Sequence, residues 1–183
     1  MTNQNESEKF AQAAQEFVKL AIEELQDERG VHAETVIAGV ARMAGTFLFR
    51  SFGFTVPNGQ PGQAVLSEQA NERGPRLIEI TASSLADSGI GVDFESVTDE
   101  ARRAHQALLG FLQTQRRLEP ALNGIKEKYG LSLTQASDAA AIATALLISQ
   151  TTQVLEPSVA FDLAVFGFIE GSKTIPDPPV LPE

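Results

Sequence analysis

Between residues 32 and 50 the chain sets His32, Thr35, Gly39, Arg42, Thr46 and Arg50 three or four residues apart, on one face of a helix whose other positions are nearly all apolar or small. Two guanidinium groups on one face suit recognition of a carboxylate or phosphate, with His32 and Thr46 as further polar contacts and Gly39 permitting close approach. The same stripe also reads as a narrow solvent-facing line or as half of an internal ion pair, because charge on an apolar helix must find water, an acid or a ligand. An acid is at hand in Asp162, the lone charge in an otherwise apolar run from Val159 to Ile169. A buried carboxylate needs a cation, and Arg42 or Arg50 is its expected partner. Arg42, Arg50, His32, Thr46 and Asp162 are therefore the candidate ligand-binding residues.

Phenylalanine is concentrated in two short stretches, Phe47, Phe49, Phe52 and Phe54 in one and Phe161, Phe166 and Phe168 in the other. The spacing predicts that these stretches meet in the core; the sharper alternative is an apolar ligand pocket lined by Phe47, Phe52, Phe161 and Phe166. Metal chemistry has little to work with. His32 and His105 are the only histidines, there is no cysteine, and neither histidine stands in a Glu-x-x-His pair. Asp27, Glu28, His32 and Glu34 do gather at a helix junction, but helix ends commonly collect charge. No metal and no cofactor is expected. A Gly-x-Ser-x-Gly elbow and a P-loop are both missing, and Gly89-Ile90-Gly91 follows a helical pattern where a dinucleotide fingerprint would follow a strand. No residue is assigned a catalytic role.

The elements that must position these residues read as helices throughout. Apolar spacing from Phe10 to Leu25 predicts a first helix over about 6–28, ended by Gly30, and the apolar second helix runs over about 32–52. A turn-rich stretch around Pro57–Gly62 follows, then a helical segment over about 62–72 and a fresh start at Pro75 running to about 87. Residues 88–96 read as a linker. Thr98, backed by Asp99 and Glu100, predicts the N-cap of one long helix. Its seam would run through Ala101, Ala104, Leu108, Phe111, Gln115, Leu118, Leu122 and Ile125, with a bend or split at Pro120. Gly130 stops it, Ser132 and Gln135 form a capping box for a helix over about 133–154, and Pro157 opens a last helix to about 171. Alanines 139, 140, 141, 143 and 145 make the penultimate helix thin, and Ala107, Gly110 and Thr114 offer a second close-approach strip; one of the two is expected inside the chain and one at a dimer contact. Arg102, Arg103, Arg116 and Arg117 read as a solvated face or a grip on an acidic partner. The resulting expectation is an all-α, single-domain bundle of six to seven helices over residues 1–173, built around two very apolar central helices. Residues 174–183, rich in proline, form an extended tail lying on its own domain or on a neighbour.

Composition bounds the function. With 183 residues, 43% of them hydrophobic, the chain can bury a core without a staple, and its net charge of −10 argues against nucleic acid or an anionic membrane as partner. The uncharged stretch 139–155 is too polar for a bilayer span and reads as a buried helix. The start of the sequence is polar and acidic, unlike a secretory leader, and a cytoplasmic setting is expected. The first functional expectation is a non-catalytic helical protein acting through self-association or contact with another protein, most simply as a homo-oligomer. The alternative is a small-molecule binder that uses the arginine stripe beside a phenylalanine-rich pocket.

Overall fold

The computed structural model describes residues 2–53 and 55–180, with side chains from Ser7 onward. Phe54 of the first phenylalanine stretch and residues 181–183 of the tail lie outside the described residues. Among those described, the chain forms eight α-helices and no strand: α1 (Thr2–Leu25), α2 (Ala33–Ser51), α3 (Glu68–Arg73), α4 (Pro75–Asp87), α5 (Asp99–Ala104), α6 (Phe111–Lys128), α7 (Leu133–Gln150) and α8 (Pro157–Ser172). It is an all-α bundle. α3 and α5 have only six residues each, so six longer helices carry the core.

Local chemistry explains most of the boundaries. Gly30 has φ 107°, a conformation open to glycine, and reverses the chain between α1 and α2. His32 caps α2 by accepting the Thr35 N–H, and Ser132 and Gln135 form the reciprocal capping box of α7. Pro75 and Pro157 each open a helix, and Gly130 closes the turn after α6 at φ 57°.

The two apolar helices α2 and α8 lie against each other and form the most extensive helix pair among the described residues. Small residues make the closest part of the contact. A methyl group at Gly45 would sit 2.6 Å from the Phe168 carbonyl and 2.6 Å from the Ser172 nitrogen, and one at Gly167 would sit 2.8 Å from the Ala41 Cβ. Glycine and alanine therefore set the distance between the two backbones. Phe47 of one phenylalanine stretch and Phe161 and Phe168 of the other share the buried core; Phe47 also stacks on Phe17 of α1 at 6.3 Å, and Phe161 meets Phe94 at 4.9 Å.

Helix α7 packs on α2, α4 and α1, and all six of its alanines are buried, so that thin helix serves the inside of the bundle. Its hydroxyls are satisfied internally too: Ser137 donates to the Ala44 carbonyl and Thr144 to the Ala140 carbonyl. Among the described residues no single helix is long and apolar enough to cross a membrane.

Two expectations are corrected. The predicted long helix from Thr98 is interrupted between Ala104 and Phe111, so Ala107, Gly110 and Thr114 share no helix face and the seam begins only at Phe111. The cause is the polar stripe of α2. Glu34 takes the His105 ring, the Thr35 hydroxyl takes the Leu108 N–H, and Arg42 takes the Leu109 carbonyl, so groups that would have closed helical turns are spent on tertiary bonds. Pro120, by contrast, lies inside α6 without breaking it. In the tail, Ile175 is buried and exchanges backbone hydrogen bonds with Gly62 and Gln63, which holds residues 174–178 on this chain's own helices.

Candidate functional site

Thr35, Gly39, Arg42 and Arg50 of the α2 stripe face the loop and helix that follow α5. Arg42 donates from Nε to Glu170 of α8 at 2.6 Å, and from Nη1 to the Leu109 carbonyl at 2.6 Å and to the Thr114 hydroxyl at 3.2 Å. Thr46 turns back to donate to the Arg42 carbonyl, and Gly39 faces Leu118 and Thr114 of α6. One turn further on, Arg50 grips Glu119 with two hydrogen bonds of 2.5 and 3.0 Å and donates its remaining nitrogen to the Pro178 carbonyl. Both side chains of that pair are nearly inaccessible, at 2% and 8% exposure, and Gln115 completes the network by bonding Glu119 and both backbone groups of Asp177. A buried pair so bonded holds the tail and α6 on α2, with every nitrogen of Arg50 engaged.

Asp162 is buried, as its surroundings in the sequence imply, but its cation is neither Arg42 nor Arg50. Arg102 of α5 binds it bidentately, both bonds 3.0 Å, and spends a third nitrogen on Asp99. The Asp162 carboxylate in turn raises the Arg102 pKa above the usual arginine value. Hydrophobic spacing predicts one long helix from Thr98, which would carry Arg102 away from Asp162; the break after Ala104 brings the two together. The acid of α8 that meets Arg42 is Glu170. The α2 stripe and α8 are joined by a charge pair, then, with a different acid from the expected one.

The two histidines converge on one carboxylate. His105 Nδ1 lies 2.9 Å from Glu34 and His32 Nε2 lies 3.4 Å from it, while His32 Nδ1 accepts from Thr35. Burial alone would raise the Glu34 pKa, but the His105 hydrogen bond, its own backbone N–H and the two rings together hold it below the usual glutamate value. Among the described residues no cluster of three or more ligating side chains is arranged to hold a metal ion.

Arg42, Arg102, His105, Gln106, Ala107, Val159, Asp162, Leu163 and Phe166 line an open groove of about 370 Å³ between the α5 loop and α8. Its lining is part polar and part apolar. The Arg42 Nη2 has no hydrogen-bond partner among the described residues, but Arg42 and Arg102 each already face an acid of this chain. Of the candidate pocket residues, Phe47 and Phe161 are buried in a filled core, Phe52 is partly buried against Arg73, and Phe166 is 57% exposed on the lip of the groove. The structure thus brings Arg42, Asp162 and Phe166 to one place and leaves His32, Arg50, Thr46 and the other phenylalanines outside it.

The surface around that lip is unusual. Helix α8 carries only two charges, and α2 is the one helix that covers it broadly. Val159, Leu163, Phe166 and Ile169 follow one another along its other side, with Phe166 and Ile169 the most open. Helices apolar on every side are ordinarily covered on every side. Compared with protein-family models, curated proteins and solved structures, the chain gives no significant match.

Proposed function

We propose that this chain is a non-catalytic helical protein that acts by association with protein, and that the outward side of α8 is its working surface. The observation that carries this reading is the apolar line Val159, Leu163, Phe166 and Ile169, half-buried at its first two members and open at Phe166 and Ile169, on a helix packed against α2 on its other side. Leu108, 60% exposed just beyond the groove, extends the patch. Large side chains held at the surface on a rigid helix bind protein without a cost of ordering, which is how such patches normally serve. A cytoplasmic setting belongs to the same proposal and rests on composition alone.

The test is position-specific. A photoreactive phenylalanine analogue at position 166, in the cells that make the protein, is expected to form a covalent protein adduct on irradiation; the same group at exposed Gln153 is not. No adduct from position 166, or equal adducts from both positions, would overturn the reading.

One observation favours a second reading. Arg42, whose Nη2 has no hydrogen-bond partner among the described residues, lines the groove together with Val159, Leu163 and Phe166, a combination that suits a small aryl or alkyl carboxylate. Titration with phenylacetate checks it: saturable binding lost in Arg42→Met supports a ligand site, and no binding removes it.

A further inference from the structure

The outward side of α8 is complementary to itself. An interface related by a twofold axis is one patch meeting its own image, so it must carry ridge and hollow, and cation and anion, side by side. Here Phe166 stands at the lip of the groove whose apolar walls are Val159, Leu163 and Ala107. The ridge and the hollow are neighbours on one helix.

Charge placement selects the direction. In an antiparallel crossing centred on Phe166, Leu163 lies opposite the partner's Ile169 and Asp162 lies opposite the partner's Glu170. Two carboxylates would then repel, except that Asp162 is covered bidentately by Arg102, whose side chain is still 38% exposed. What faces the partner's Glu170 is therefore a guanidinium. Glu170 is itself 40% exposed while bonded to Arg42, so it has room to accept a second donor. A parallel pairing in register would set Arg102 against the partner's Arg102 and Glu170 against the partner's Glu170. Only the antiparallel arrangement gives an apolar centre with opposite charges at its rim, the anatomy of a specific interface.

We infer that a second copy of this chain covers the outward side of α8, antiparallel about a twofold axis near Phe166, with Leu163 packed on the partner's Ile169 and Arg102 turned to the partner's Glu170. The inference rests on the association reading above and names its occupant. An ordinary interface takes roughly 800 Å² from each partner, so Ala107 and Leu108 beside the groove must contribute together with α8.

The absence of cysteine makes the geometry directly testable. Phe166→Cys places one thiol per chain at the proposed axis. With oxidised glutathione as oxidant, the purified full chain should form disulfide-linked dimer on the order of tenfold faster than Gln153→Cys, because pairing raises the local thiol concentration. Leu163→Cys alone should cross-link slowly, and Leu163→Cys with Ile169→Cys should restore fast cross-linking. Equal rates at positions 166 and 153 would overturn the inference, as would faster cross-linking for Leu163→Cys alone than for the double variant. If the purified chain fails this test while the photoreactive group at position 166 still captures a different protein, the second copy falls and the association reading stands; if both fail, both fall.

Discussion

Helices α2 and α8 are the two apolar rods at the centre, and they meet different fates. Helix α2 is covered by α8, α7, α6 and α1, and its polar stripe is consumed by the chain itself, Arg42 on Glu170 and Arg50 on Glu119. Helix α8 is covered on the α2 side and shows phenylalanine and isoleucine to solvent on the other. Apolar character alone says that a helix will be covered; it does not say by which chain.

The sharpest way to break this contrast is to damage the α2 side. Replacing Arg50 with alanine leaves Glu119 buried without its cation and should cost about 3–5 kcal/mol, read from urea unfolding. Loss below 1 kcal/mol would mean that the pair is not the anchor of α6 and the tail. Next comes the seam the two helices share. Gly45→Ala drives a methyl into the backbone of Phe168 and Ser172, for a loss of roughly 1–3 kcal/mol by the same measurement. A neutral result would mean that the helices can move apart freely.

A smaller effect is expected in acid. Glu34 and Glu16 both have folded pKa values below the usual glutamate value, Glu16 because it accepts hydrogen bonds from Lys128 and Tyr129. An acid with a depressed folded pKa contributes stability that is present above its unfolded pKa of about 4.5 and is lost as pH falls through the lower folded value. The urea midpoint should therefore drop between neutral pH and pH values below about 4.5, and less steeply in Glu16→Gln than in the parent. Identical pH profiles for the two would show that Glu16 plays no part in holding α1 to the end of α6. The smallest effect belongs to the outward side of α8: Phe166→Glu should change the stability of the single chain by no more than about 0.5 kcal/mol, because that residue is 57% exposed.

Much of this architecture was legible in the sequence. The caps at Ser132 and Thr98, the prolines opening α4 and α8, and the pairing of the two apolar helices all follow from local chemistry and hydrophobic period. What the period could not foretell is the break between α5 and α6. It is made by Glu34, Thr35 and Arg42 reaching across from another helix, a tertiary override of a continuous helical pattern. That break also decided the candidate site, since it brought Arg102 to Asp162. The small residues between α2 and α8 were readable in principle, as Gly167 and Gly171 stand one turn apart facing Ala41 and Gly45. Phe166, by contrast, lies in a phenylalanine-rich stretch and is 57% exposed.

The most direct measurement is sedimentation equilibrium of the purified chain and of Phe166→Glu from low to high micromolar concentration. A second copy on α8 predicts that the parent shifts from 19.6 kDa toward twice that mass as concentration rises, while the variant stays at 19.6 kDa throughout. A parent that remains at the single-chain mass across the whole range, or a variant that associates as readily as the parent, would contradict it.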